Sequence, residues 1–391
     1  MIAGDGQPML RGVKVVDLTS IVFGPYCTQI LADLGAEVVK VEAPPAGDGF
    51  RYAGKSAATR GMGPGFFAIN RGKQSVVLDL KTEDDQAVMR ALLAEADIFV
   101  LNVRGKAAAR LGLDYDSVRA IRPDIIYLHC VGFGQDGPYA DLPAYDDVIQ
   151  AASGATSLLP RVDGDPRPRY IPSLIADKVS GLHAAYAAMA ALVHRLRTGE
   201  GQRVEVPMLE AFTSFMLVEH LGGLTFDPPN GPACYARQID PNRQPVATTD
   251  GYVSIAAYTD RDWPALFQAL GDASVLDDPR LATPADRFRN LALLYAAAAR
   301  LAAGLTTADL LARCAAAGIP AQEARDIATI MDDAHLAATG FFQRRTHPSE
   351  GDYVEMRQPV RFAAVPPAAP GPPPVLDEQG DAIRARLRPR R

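Results

Sequence analysis

Between residues 13 and 128 short runs of β-branched and other apolar residues alternate with stretches whose apolar positions recur at helical spacing. VKVVDL (13–18), EVVKV (37–41), SVVLDL (75–80), DIFVL (97–101) and DIIYL (124–128) have the length and composition of buried strands. The stretches 26–34, 84–95 and 115–121 read as helices, and Gly24-Pro25 reads as a turn before the first of them. Strand and helix in alternation predict an α/β domain, a parallel sheet covered on both faces. Ligands of such sheets bind at the carboxyl ends of the strands. The turns 19–25 and 102–106 and the segment 132–138 fall there.

The pattern changes after a helix containing 209–218. FDPPNGPACYARQIDPNR (226–243) is rich in Pro, Gly and Asn and reads as a linker. It opens a segment with a strand at 252–257 and Ala-rich helices at 291–305 and 307–317, a smaller α+β domain. From about 341 the chain turns polar and extended, then runs through AAVPPAAPGPPP (363–374), a polyproline II composition. The expected division is 1–225 for a large domain, 226–340 for a small domain with linkers, and 341–391 for a C-terminal segment. No internal repeat of fixed period is present.

Composition narrows the partners. The 391 residues are 48% hydrophobic and 22% charged, enough to bury a substantial core. The net charge of −6 carries no basic block outside the terminal RARLRPRR, which argues against nucleic acid or an anionic membrane as partner. Cys27, Cys130, Cys234 and Cys314 lie far apart without metal-ligand spacing and read as reduced packing residues of a cytoplasmic protein. MIAGDGQPML has no apolar run with a charged flank, and no stretch approaches the ~20 apolar residues that span a bilayer, so neither secretion nor membrane insertion is expected.

Asp177 is the single aspartate of PSLIADKVSGLHAAYAAMAALVHRLRTGEGQRVEV. It stands where a loop gives way to a long apolar helix whose other end is marked by His194, Arg195, Arg197 and Gly199. Free amide N–H groups and the helix dipole at that end favour a carboxylate, so a lowered pKa and an ionised Asp177 are expected. Such a group can be a helix cap or a nucleophile. Competing chemistry is sparse. GFGQDGP (132–138) lacks the third glycine of a dinucleotide fingerprint, and SIVFGPYC has no GxGxxG. The six histidines are isolated, no cluster has metal-ligand spacing, and no GxSxG elbow is present. Asp146-Asp147 and Asp332-Asp333 read as capping or solvated pairs.

Four ordered segments together resemble the family III CoA-transferases, which include formyl-CoA and carnitine CoA-transferases and the α-methylacyl-CoA racemases. They are LRGVKVVDLTSIVFGPYCTQILADLGAEVVKVEAPPAGD, INRGKQSVVLDLKTEDD, NVRGKAAARLGLDYDSVRAIRPDIIYLHCVGFGQDGPYADLPAYDDVIQAASG and ADKVSGLHAAYAAMAALVHRLRTGEGQRVEVPMLEA. The resemblance covers 10 to about 220 strongly, and the small domain and PPPVLDEQGDAI more loosely. It implies a large Rossmann-like domain with a smaller α+β domain, an interlocked homodimer, and a C-terminal segment that returns to the large domain. It implies no permanently bound cofactor; coenzyme A and acyl-CoA are substrates, with a carboxylic acid as acceptor. By motif position Asp177 is the nucleophile that carries acyl and CoA groups in turn. Ile21, Val22 and Phe23, then Asn70, Arg71 and Lys73, then Asn102, Val103 and Arg110 match CoA-contacting clusters, and Gly132, Phe133 and Gly134 form the glycine-rich turn beside them. Arg71, Lys73 and Arg110 are expected to meet phosphates.

Departures from the family bear on the substrate. Tyr145 stands where the racemases carry a proton-shuttling histidine before Asp146, which favours transfer over racemisation. Ala43-Pro44 replaces a basic residue of the formyl-CoA enzyme, Val22 replaces a glutamine, and the run of glycines in its small-domain loop is missing, which puts formate and oxalate chemistry in doubt. Arg237, Arg243 and Tyr235 suit a second carboxylate, so a dicarboxylate acceptor is an expectation. The alternatives are a racemase and a CoA-binding protein without turnover.

Overall fold

The computed structural model describes residues 7–365 and 370–387. The N-terminal 1–6, residues 366–369 of the Pro-rich stretch and 388–391 of the basic tail lie outside the described residues. The chain divides into two compact units, one of 1–155, 170–216 and 338–391, the other of 156–169 and 217–337.

The first unit is built on six parallel strands: β1 (Lys14–Leu18), β2 (Glu37–Glu42), β3 (Lys73–Val77), β4 (Ile98–Leu101), β5 (Ile126–Val131) and β6 (Gln202–Pro207). Their order is β3-β2-β1-β4-β5-β6, the doubly wound order in which the chain changes direction between β1 and β4. The five expected strands are all present. The sixth alternates polar with apolar residues and pairs through only one edge, so its pattern gives a weaker signal than the continuous runs at the centre.

The first helix, α1 (Phe23–Asp33), starts three residues before the expected 26. Gly24-Pro25 is its first turn rather than a separate one, because a proline there gives up an N–H that has no helical partner. α1 packs against the 24-residue helix Ile175–Thr198, which ends at Gly199 in the left-handed conformation as the sequence indicates. Ala184, Ala185, Ala188 and Ala191 are buried along this helix, and a Cβ on Gly181 would come within 2.9 Å of the Phe23 carbonyl. Small residues thus let the two helices lie close. Their apolar faces meet Val15, Val100, Ile126 and Leu128 on one side of the sheet, while Val16, Phe99, Leu101 and Tyr127 serve the helices on the other.

The polar stretch after 341 is a hairpin, β10 (Phe342–His347) and β11 (Gly351–Met356), paired in antiparallel register. Beyond it the chain covers the edge of the main sheet. Gln379 and Asp377 side chains accept from the Ser75 and Val77 N–H groups at 2.8 and 2.7 Å, and Arg384 donates to the Val77 carbonyl at 3.1 Å. Side chains therefore satisfy backbone groups of edge strand β3 that would otherwise face water or another chain. The second unit has a three-stranded antiparallel sheet, β7 (Val246–Ala247), β8 (Tyr252–Ile255) and β9 (Ala321–Glu323). Its core gathers Trp263, Phe267, Leu294, Leu310 and Cys314 from the covering helices.

Candidate active site

A cleft of about 350 Å³ opens at the carboxyl ends of β1, β4 and β5, where the winding of the sheet reverses. Asp177 reaches it from the first turn of Ile175–Thr198. The carboxylate is not a cap: Leu174 holds the N-cap position and no side-chain cap bond is made. It is 7% exposed, and its own N–H donates to Asp146 Oδ2 at 3.0 Å. Asp146 is held in turn by Gln150, whose Nε2 donates to Oδ1 at 2.5 Å and whose Oε1 accepts from the Ile171 N–H at 2.9 Å.

This surrounding reverses the expected charge state. Burial, followed by the neighbouring Asp146 carboxylate, pushes the Asp177 pKa up to about 7. The expectation of a lowered value rested on the helix dipole, which is worth at most ~2 kcal/mol and is outweighed once the group leaves water beside a like charge. Among the described residues no Lys or Arg forms an ion pair with Asp177 or with the buried Asp146 beside it, in contrast to the buried carboxylates Asp17, Asp33, Glu42 and Asp48.

The cleft walls come from three turns. After β1, Ser20 is clamped by Asn102, which accepts from its N–H at 3.2 Å and donates to its carbonyl at 3.0 Å. Ile21 follows with φ +71°, a left-handed conformation that a β-branched residue adopts at a cost of ~1–2 kcal/mol. After β4, Val103 and Arg104 border the opening, and the Val103 carbonyl lies 2.9 Å from Nε2 of His129, whose pKa burial lowers from its ordinary value. After β5, Gly132 lies so close to Ala144, in the loop before the helix Asp146–Ala152, that a Cβ would lie 2.3 Å from that residue's own. Tyr145, 69% exposed, stands on the rim before Asp146.

Of the expected CoA residues, Ile21, Phe23, Asn102, Val103 and Gly132 line this cleft. Phe133 is buried with its ring edge-on to Tyr139, and Gly134 donates its N–H to Glu210 at 3.0 Å. Val22 is buried outside the lining, and Arg110 is exposed outside it. The basic pair expected to meet phosphates is turned inward instead. Arg71 pairs with Asp33, and the Lys73 ammonium is fully buried between Asp17 Oδ2 at 3.1 Å, Asn70 Oδ1 at 2.8 Å and the Pro25 carbonyl at 2.9 Å. Burial lowers the Lys73 pKa to about 8 against the pull of Asp17, and the Asn70 amide is spent on Phe66 at 3.1 Å. Reading a charged residue in a motif as a surface group misses this, because linear sequence does not show that β3 aims Lys73 into the core. Arg104 is the reverse case, a basic residue on the cleft that the motif reading passes over although it lies between Asn102 and Arg110. Among the described residues no group of three His, Cys, Asp or Glu could hold a metal ion.

The cleft combines an unpaired buried carboxylate with an opening at the switch point of a doubly wound sheet. A family description, CoA-transferase family III, matches residues 10–380. The chain belongs to CoA-transferase family III. It is 32% identical over 390 residues to succinate–glutarate CoA-transferase of Agrobacterium fabrum, covering 97% of this chain and 96% of that one. It is 32% identical over 382 residues to acetyl-CoA:oxalate CoA-transferase of Acetobacter aceti, covering 95% and 94%. A CAIB/BAIF family protein from Brucella suis has the same fold, with a TM-score of 0.83 at 33% identity over 98% of this chain and 100% of that one. This family III chain is therefore an enzyme of the acyl-CoA:carboxylate CoA-transferase type with a mixed α/β fold on a central parallel sheet.

Proposed function

We propose that the enzyme moves CoA from an acyl-CoA thioester to a small dicarboxylic acid through covalent adducts on Asp177. The observation that carries this reading is a carboxylate at the base of the cleft, buried beside a second carboxylate and lacking a cationic partner. With a pKa near 7 it is available as the anion at neutral pH and is more basic than a solvated aspartate, which suits a nucleophile. The Asp177 oxygen attacks the thioester carbonyl, the C–S bond breaks, and a mixed anhydride forms with release of CoA thiolate. The thiolate then attacks the aspartyl carbonyl, giving an aspartyl-CoA thioester and freeing the donor acid. The acceptor carboxylate reverses the two steps, so the exchange needs no ATP. Asp146 and the Gln150 clamp hold Asp177 in place and keep its charge uncompensated until substrate enters.

Ile21, Phe23, Asn102, Val103 and Gly132 are the residues assigned to acyl-CoA, with Arg104 as the rim cation for phosphate or acceptor carboxylate. Val22, Asn70, Arg71, Lys73 and Arg110, and with them Phe133 and Gly134, support the site from outside its lining. The name of the succinate–glutarate relative supports a dicarboxylate as the acceptor. Arg237 and Arg243 remain candidates for acceptor recognition: they lie at Tyr258, one 4.0 Å over its ring and the other 3.3 Å from its hydroxyl, and neither pairs with a carboxylate among the described residues. The assembly we infer is the interlocked homodimer of the family, with the C-terminal segment returned to the large domain. No helix among the described residues is long and apolar enough to cross a membrane, and Cys27, Cys130, Cys234 and Cys314 are free thiols, which fits a reducing cytoplasm.

An exchange assay tests this reading. A panel of acyl-CoA donors is offered with succinate, glutarate, oxalate or acetate, and acyl-CoA products are followed by chromatography. Turnover with diacids and its loss by at least ~10³-fold in Asp177→Asn supports the reading. Near-normal transfer in that variant overturns it.

A further inference from the structure

The turn after β1 is the most elaborately held piece of backbone at the cleft. Ile21, a β-branched residue, sits at φ +71°, and its N–H donates to Asp48 Oδ1 at 2.9 Å. The same oxygen accepts from the Phe50 N–H at 2.9 Å, which folds the 48–50 loop against the turn. The other Asp48 oxygen lies 2.9 Å from Lys40 Nζ, both side chains being out of solvent, and Lys40 also donates to the Thr19 carbonyl at 2.8 Å. Asp48 is fixed from behind as well, since its N–H donates to Glu42 Oε2 at 2.9 Å. With Asn102 occupying both backbone groups of Ser20, the N–H groups of Ser20 and Ile21 are turned away from any ligand. The turn therefore lines the cleft with Ile21 and no free amide, where a phosphate-binding turn would present amides.

We propose that Asp48, which lies outside the cleft lining, is a positioning residue for the CoA substrate: it holds Ile21 in its left-handed conformation and so sets the wall against which the uncharged part of acyl-CoA lies. Without the Asp48 acceptor, an isoleucine strained into that region of backbone space loses the hydrogen bond made by its own N–H, and the turn relaxes toward an extended conformation that moves the Ile21 side chain. Glycine adopts φ > 0 freely, so a glycine at 21 does not depend on Asp48. This inference rests on reading the cleft as the CoA site.

The test is titration calorimetry of the full-length enzyme with coenzyme A, with heat unfolding run in parallel. Asp48→Ala is expected to weaken CoA binding at least tenfold per folded protein, and Ile21→Gly combined with Asp48→Ala to recover most of that loss. Asp48→Asn keeps an acceptor for Ile21 while losing the Lys40 ion pair, so its binding should fall less than threefold although its Tm drops; it also serves if Asp48→Ala does not fold. Unchanged CoA affinity in Asp48→Ala, an equal loss in Asp48→Asn, or no recovery with Ile21→Gly overturns the proposal. Wild-type enzyme that binds no CoA overturns the reading of the cleft itself, a result distinct from those three.

Discussion

In the proposed reaction one carboxylate, Asp177, carries the chemistry, and the cost of burying it is measurable. The pKa of Asp177 is about 7 in the folded chain against 3.8 for a free aspartate. The folded state thus holds the proton more tightly than the unfolded state. Stability is full below about pH 4, declines as pH rises through about 7, and stays low above that, a penalty on the order of 4 kcal/mol. Asp177→Asn keeps the volume and removes the charge, so it is expected to raise Tm at pH 8 and to leave it unchanged at pH 4. Equal Tm values at both pH values would contradict the buried, uncompensated anion. The rate follows the opposite sense to stability: kcat/KM should climb through about pH 7 as Asp177 ionises and level off above it, and a flat profile from pH 5 to 9 would speak against this. Catalytic readiness and loss of stability are then the same ionisation, which accounts for an unpaired carboxylate at this site.

Among the secondary elements, β1, β2, β3 and α1 are tied together by buried charges, among them the Lys73 that the family resemblance assigns to a phosphate. Lys73 of β3 reaches Asp17 of β1 and the Pro25 carbonyl of α1, and Lys40 of β2 reaches Asp48 and the turn. Burial raises the Asp17 pKa, but Lys73, Lys40 and the hydroxyls of Thr19 and Thr28 outweigh it and bring it down to about 2. Lys73→Met would leave Asp17 without its nearest cation, with an expected loss of ~3–5 kcal/mol in denaturant unfolding. A loss below ~1 kcal/mol would speak against a buried Lys73–Asp17 pair. The strands of β1 to β5 were legible because continuous apolar runs have few other uses, and Asp177 because a lone acid before an Ala-rich helix stands out. The inward aim of Arg71 and Lys73 and the left-handed Ile21 were not, because each depends on a distant partner: Asp33 lies 38 residues from Arg71, Asp17 56 from Lys73 and Asp48 27 from Ile21. The same distance hides the role of Asp146: in sequence it is half of an acidic pair, and only the fold sets it against Asp177.

For the whole molecule, the doubly wound order brings three sequence-distant turns to one cleft, and the C-terminal residues Asp377, Gln379 and Arg384 close the sheet edge farthest from β6. A covered edge leaves association to other surfaces. If the inferred dimer is interlocked, its subunits separate only on unfolding, so sedimentation should give a dimer at every dilution down to nanomolar chain. A monomer that grows in on dilution would rule out threading while leaving the catalytic reading intact. The reading that the relatives and the cleft together support is transfer through the protein itself, with Asp177 covalently charged between two carboxylic acids.

The direct measurement is the mass of the intact chain after a brief reaction with an acyl-CoA donor and acid quench, followed by peptide mapping with and without hydroxylamine. The account predicts an added acyl or CoA group on the peptide containing Asp177, converted to a hydroxamate by hydroxylamine, discharged by the true acceptor acid and missing in Asp177→Asn. Steady turnover with no adduct on that peptide, or an adduct that persists in Asp177→Asn, would contradict it.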